Sequence, residues 1–331
     1  MDNFNMEIKT RFHDLLKENI KDKKKWVNEL ADILNCSVTA IYKKNRDDHF
    51  YTVDEMLFLI KHYSIDTNDL FGNLGKLRLF SVPNIVYPIR NIEDYLARLS
   101  NNLSGLDMEK DAKVFYATRE LPIFYYFLYP KVALFMLFVF AKTVWKVDKY
   151  IRSPFDPNGF PPDLISKIQM IWDKYANLNT FEYWNTNVID ITLEQIRFYF
   201  EAGDIDKEIA IGLLSDLELT LQRIKDMAMT NSKLEGASTN FQLYENKILH
   251  TSNHVLVRTR NLSSIYIAFD HPNFIISRDV EFLEYSNKWY QTVEENSFLL
   301  GKGSGHMTSV FFNHLHHKVN ITRKQIEAFQ R

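Results

Sequence analysis

Apolar residues in the first seventy positions recur at helical spacing. Phe4, Ile8, Phe12, Leu15, Leu16 and Ile20 lie close to a 3.6-residue period, which predicts an amphipathic helix over 4–20. Trp26, Val27, Leu30, Ile33 and Leu34 repeat the pattern over 25–34. Asn35-Cys36-Ser37 reads as a tight turn ending in an N-cap, and a short third helix is expected from Val38 to Asn45. Asp47-Asp48-His49 is a loop. Thr52, with Glu55 three residues later, forms a capping box ahead of the stripe Val53, Met56, Leu57, Ile60 and Tyr63. A last turn follows at Leu70-Phe71, closed by Gly72. Residues 73–90 hold two prolines and no helical stripe, so they read as a linker or a strand-like crossover.

From 91 to 235 the pattern predicts helices at 91–103, 107–117, 122–150, 161–177, 181–202 and 206–230. After Gly236 the period shortens. FQLYENKILH, HVLVRT and SIYIAF are short runs of β-branched and aromatic residues separated by Asn, Ser and His, and predict three or four antiparallel strands. Helices are expected again at 279–298 and 306–330. The fold class read from this pattern is mainly α: an N-terminal five-helix domain at 1–72, a linker at 73–90, a large helical body at 91–235 and a small antiparallel α+β part at 236–331.

Composition narrows the class without naming a chemistry. With 331 residues, 46% apolar, 25% charged and a net charge of −2, the chain is an ordinary globular sequence, which excludes collagen-like, disulfide-scaffold and wholly disordered proteins. An aromatic share of 14% with only 10 glycines points to compact helical packing. The single cysteine, Cys36, allows no intrachain disulfide and fits a reducing cytoplasm. No apolar leader pattern opens the sequence. Leu121–Ala141 is long enough to cross a bilayer, but Lys131 at its centre and Pro122 and Pro130 within it argue for a buried helix pair. A cytoplasmic protein with no membrane partner is expected.

Residues 29–71, ELADILNCSVTAIYKKNRDDHFYTVDEMLFLIKHYSIDTNDLF, set two helices about a three-residue turn, the second of them short and polar. Ala31 is small where the third helix must approach, Cys36 is the apolar turn residue, Ser37 the cap, and Ile41 the apolar position facing helix two. Through these positions the stretch resembles the Cro/repressor-like (XRE) helix-turn-helix family over its whole length. TVDEMLFLIKHYSIDTNDLF matches that family's fourth and fifth helices. The resemblance implies double-stranded DNA as partner, a third helix lying in the major groove, and a homodimer reading paired half-sites. With Ile41 turned inward, Ser37, Val38, Thr39, Tyr42 and Lys43 are expected at base edges, and Lys44 and Arg46 near phosphates. Lys24 and Lys25, in the basic run that precedes helix two, are expected to add to the same interface.

Three features depart from the family pattern. Lys44 stands where an apolar residue is frequent, and Val27 where a phosphate-holding Gln commonly starts helix two. Residues 1–72 also carry 11 Lys and Arg against 13 Asp and Glu, without the basic excess of most DNA-binding domains. They support an alternative, a protein-interaction adaptor whose helix-turn-helix no longer binds DNA. ELPIFYYFLYPKVALFMLF, TLEQIRFYFEAGDI, FQLYENKIL and VFFNHLHHKV are similar to the long C-terminal region of Bacteroidetes-type helix-turn-helix transcriptional regulators. That similarity implies a body for dimerisation or for sensing an unidentified small-molecule or protein signal.

Other constellations carry less. His314 and His317 share a helix face as a metal pair would, but no Cys, Asp or Glu between 296 and 326 completes a ligand set, so no metal is expected. Gly301-Lys302-Gly303-Ser304-Gly305 lacks phosphate-loop spacing and reads as a joint. The aromatic run from Phe124 to Tyr129 reads as core before it reads as a ligand cavity. No nucleophile elbow, metalloprotease helix or Cys-x-x-Cys pair is present, and neither a cofactor nor a catalytic residue is expected.

Overall fold

The computed structural model describes residues 2–20, 26–46, 50–71, 80–83, 87–107, 111–234, 241–247, 253–260, 263–270 and 272–329. The chain divides into two compact units, residues 1–81 with 277–283, and residues 82–276 with 284–331.

In the first unit α1 (Asp2–Asn19), α2 (Trp26–Ile33), α3 (Val38–Asn45), α4 (Val53–His62) and α5 (Thr67–Phe71) surround a core that includes Phe12, Leu16, Leu30, Ile41, Leu59 and Leu70. The self-contained five-helix domain expected at 1–72 is not what forms. The segment α5 is a single turn of five residues, and the distant segment 277–283 belongs to the same unit. Arg278 of that segment lies 3.4 Å from Asp66, and the Phe282 ring meets Phe80 edge-on at 5.3 Å. Most of the linker expected at 73–90 lies outside the described residues.

The second unit corrects the expected fold class more deeply. Its β1 (Lys113–Thr118), β2 (Asn179–Trp184), β3 (Phe241–Glu245), β4 (His254–Arg258), β5 (Ser264–Asp270), β6 (Asn273–Ser277) and β7 (Phe298–Leu300) form one sheet in the order β6-β5-β4-β1-β2-β3-β7. Strands β1, β2 and β3 run parallel, while β4 pairs antiparallel with β1, β5 with β4, and β7 with β3. This seven-stranded mixed sheet replaces the small antiparallel part. β1 lies at the end of the helix expected at 107–117, and β2 at the start of the one expected at 181–202. The physical reason is burial on both faces. A parallel strand covered on both sides reads as an unbroken apolar run, not an alternation, and Val114–Ala117 is buried throughout.

Helices supply the crossovers. Between β1 and β2 come α7 (Ile123–Tyr126), α8 (Pro130–Thr143), α9 (Asp148–Ile151) and α10 (Leu164–Ala176); α11 (Asp190–Glu201) and α12 (Lys207–Thr230) lead into β3. Preceding β1 is α6 (Ile92–Asp107), while α13 (Val280–Glu295) and α14 (Gly305–Ala328) flank β7. The 121–141 stretch forms α7 and most of α8. Pro130 opens α8, which leaves Lys131 exposed on the first turn and Val132–Ala141 buried. Among the described residues no helix is long and apolar enough to cross a membrane.

The two sheet faces pack differently. On one, Glu182 of β2 is fully buried beside Tyr116 of β1 and Leu243 of β3 in register. Its Oε1 accepts from the Tyr125 hydroxyl of α7 at 2.6 Å, the Tyr175 hydroxyl of α10 at 2.7 Å and Thr180 at 3.2 Å. Buried Lys233 donates to the Leu178 and Tyr175 carbonyls at 2.8 and 3.3 Å, with its ammonium 4.7 Å from the Tyr175 ring centroid. Burial raises the Glu182 pKa, against the opposing pull of Lys233 and the hydroxyls, and burial pulls Lys233 down to about 7. On the opposite face α13 lays Tyr290 across two strands, its hydroxyl 2.7 Å from the His254 carbonyl and 3.0 Å from that of Phe115. Glu294 of the same helix accepts from Tyr183 at 3.1 Å and Tyr244 at 3.3 Å.

Two stability measurements check this account. Glu182→Leu strands the Tyr125 and Tyr175 hydroxyls without an acceptor, at about 1–3 kcal/mol each. Glu182→Gln keeps an acceptor in place and should lose less than half as much in urea unfolding; equal losses would contradict the assigned role. The second concerns His254, whose ring packs edge-on to Trp289 at 5.2 Å and whose Nδ1 is buried with no partner among the described residues. Burial lowers its pKa to about 4. Between about pH 6.5 and 4 the unfolded chain therefore binds a proton that the folded chain refuses, so stability falls as pH falls through this window. Half-buried His316, also lowered by burial, adds in the same sense. His254→Phe should flatten the decline in unfolding midpoint across this window, and an unchanged slope would show that His254 does not drive it.

Candidate nucleic-acid interface

The turn between α2 and α3 is held by backbone geometry. Asn35 takes a left-handed conformation at φ 49°, which lets the Cys36 N–H donate back to the Ala31 carbonyl at 2.9 Å and stops α2. Ser37 then sits in extended backbone, and its Oγ accepts from the Ala40 N–H at 3.1 Å, starting α3 one residue later. Ile41 is fully buried in the core shared by Leu30 and Ala31 of α2. A second tie comes from the residue that caps α4, where the Tyr63 hydroxyl donates to Glu29 of α2 at 2.9 Å.

With Ile41 turned into the core, helical geometry leaves one face of α3 outward. Ser37, Val38, Thr39, Tyr42 and Lys43 are all exposed, Tyr42 to 55%. The residues expected at base edges therefore share one accessible surface. It offers an aliphatic group, two hydroxyls that can donate or accept, a phenol and a cation.

The residues expected near phosphate separate. Arg46 is exposed at the end of α3, where its backbone N–H closes the last turn on Lys43 at 3.2 Å. Lys44 turns inward instead. Its ammonium is 2.7 Å from Glu55 Oε2 and 5.6 Å from the Tyr51 ring centroid. The same Glu55 oxygen accepts from the Thr52 N–H at 2.8 Å while Thr52 Oγ1 accepts from the Glu55 N–H at 3.2 Å, so Lys44 joins α3 to the capping box of α4. Burial raises the Glu55 carboxyl, but the Lys44 and Thr52 hydrogen bonds outweigh it and hold the group below its ordinary range. Lys24 and Lys25 lie outside the described residues.

One exposed cation at the start of α2 was not singled out in the sequence reading. Lys17 of α1 is exposed, with its ammonium 5.6 Å from the ring centroid of Trp26, the first residue of α2. Arg11, Asp14 and Glu18 border the same groove, two cations against two acids in all. Spacing along the chain carries no sign of this contact, since it depends on how α1 crosses α2.

The remaining sequence candidates are placed as follows. His314 and His317 are exposed on α14, and no group of three or more His, Cys, Asp or Glu suited to a metal occurs among the described residues. The Gly301 N–H donates to Thr308 Oγ1 at 2.8 Å, so the glycine-rich joint closes on its own helix. Tyr125 and Tyr126 are core, and Phe124 stacks on Tyr175 at 3.9 Å between ring centroids. Compared with known proteins, the chain matches no family model, no curated protein and no solved structure.

Proposed function

We propose that the chain is a sequence-specific DNA-binding transcriptional regulator that acts as a homodimer in the cytoplasm, with α3 as its recognition helix. The observation that carries this reading is the exposed face of α3, fixed by the Ser37 cap and by Ile41 in the core. In the major groove, Val38 and the Thr39 methyl suit thymine methyl groups, the Thr39 and Tyr42 hydroxyls suit base edges, and Lys43 suits guanine O6 and N7. Arg46 takes a phosphate, while Lys44 serves the fold. The second unit supplies dimer contacts or receives a small-molecule or protein signal.

A protein-interaction adaptor is the second reading, favoured by a specific surface. Val53, Leu57 and Phe58 of α4 are exposed, Val53 to 69%, in a unit without basic excess.

Selection of genomic fragments at about 50 mM salt separates the two readings. A DNA-binding dimer enriches paired half-sites about 34 Å apart. Combined Thr39→Ala, Tyr42→Ala and Lys43→Ala should lower specific affinity at least about a hundredfold, given about 1–3 kcal/mol for each good base contact. Recovery that is independent of sequence and indifferent to the triple substitution would overturn the reading in favour of the adaptor.

The divergence of the two neighbouring cations gives a sharper prediction. Arg46→Ala should reduce the slope of log affinity against log salt by about 0.9, the signature of one lost phosphate contact. Lys44→Met should leave that slope unchanged and lower the unfolding midpoint. A slope change for Lys44→Met as large as that for Arg46→Ala would return Lys44 to the DNA surface.

A further inference from the structure

Within the second unit, a cavity of about 400 Å³ lies between α6 and the sheet face that carries Tyr116. That volume is in the range of small-molecule sites. Tyr95 of α6, Tyr116 of β1, Val257 of β4, Tyr266 of β5 and Phe274 of β6 border it, with the stacked pair Phe124 and Tyr175 at one side. The lining is predominantly apolar, and its polar groups are unevenly satisfied. Tyr175 is committed to Glu182. The Tyr95 and Tyr116 hydroxyls, on nearly fully buried side chains, have no hydrogen-bond partner among the described residues. Both residues line the cavity, so their hydroxyls are available to hydrogen-bond with whatever fills it, water or a ligand.

The charge of an occupant follows from Arg98, the only basic residue bordering the cavity among the described residues. Its guanidinium pairs with Asp94 at 2.9 Å, donates to the Pro88 carbonyl at 3.1 Å and also reaches the Tyr87 carbonyl. Its charge is already balanced, so a carboxylate or phosphate entering here would find no unmatched cation. Burial raises both phenol pKa values and keeps the two hydroxyls protonated.

We propose that this cavity binds an uncharged, largely apolar small molecule whose hydroxyl or carbonyl group hydrogen-bonds to Tyr95 and Tyr116. The proposal goes beyond DNA recognition, and its test uses no DNA, so either can fail alone.

The experiment titrates the full chain with the neutral fluorescent probe N-phenyl-1-naphthylamine and competes it with 1-naphthol, naphthalene and 1-naphthoate. Saturable binding of one probe per chain is expected. Naphthol should displace it best, with the anionic naphthoate at least about tenfold weaker. Tyr116→Phe, which removes the hydroxyl and keeps the ring, should weaken naphthol about fivefold, the worth of one neutral hydrogen bond, and leave naphthalene unchanged. Leu99→Trp should fill the cavity and abolish saturable probe binding, with circular dichroism confirming the fold. Non-saturable probe binding, naphthoate equal to naphthol, or naphthol unaffected by Tyr116→Phe would each overturn the proposal.

Discussion

A carboxylate buried in the middle of the sheet sets the condition that the second unit's packing must meet. Taken out of water, Glu182 is unfavourable unless donors converge on it. The donors come from two helices of one crossover, Tyr125 on α7 and Tyr175 on α10, so the connection from β1 to β2 must cross the sheet at one place. Lys233 completes the arrangement from further along the chain. It donates to the carbonyls of Tyr175, in the last turn of α10, and of Leu178, two residues past its end. A cation is stabilised at that end of a helix, which offsets part of the penalty of burying it. The aromatic wealth of the chain follows the same logic: tyrosines combine a large apolar body with one polar tip, and this core uses both.

What was legible in the sequence is what depends on neighbours in the chain. Ser37 and Thr52 cap their helices because an N-cap hydroxyl and an N–H three residues on are close whatever the tertiary context, and Ile41 is the one large aliphatic side chain of α3 that the core takes in. The sheet was not legible for the opposite reason. KVFYAT and NTFEYW owe their strand conformation to each other, in a parallel pairing separated by more than sixty residues of chain. The central Glu182 also disguises β2, since an acid amid aromatics reads as the polar side of a helix until tyrosines from elsewhere are found to satisfy it. Segment 277–283 was hidden similarly, because nothing local in SRDVEFL announces membership of a unit more than two hundred residues away.

Lys43 and Lys44 show how far a residue-type argument reaches at an interface. Both are basic and adjacent, and a charge tally treats them alike. Along α3 they are separated by about 100° of rotation, which turns one toward solvent and the other toward α4. There Glu55 already serves as the return half of a capping box, and adding the ammonium lets one oxygen satisfy both the Thr52 N–H and Lys44. Lys44 thus has a structural use at this position. This polar tie between α3 and α4 orients α3 through a directional bond.

At the end of strand β6 the chain passes from one unit to the other. Phe274 and Ile276 border the cavity, and the residues that follow at once, 277–283, belong to the unit that carries α3. Within that stretch Asp279 accepts from the Phe282 N–H at 2.8 Å at the start of α13, and Arg278 pairs with Asp66. A molecule in the cavity therefore touches a strand whose direct continuation is part of the proposed DNA-binding unit. Proximity in sequence does not by itself make a switch. An occupant shifts an equilibrium only by the difference in its affinity for two arrangements, and an occupant that binds both equally shifts nothing. Any coupling between the cavity and the proposed DNA binding must be reciprocal: what the occupant does to DNA affinity, DNA must do to the occupant's.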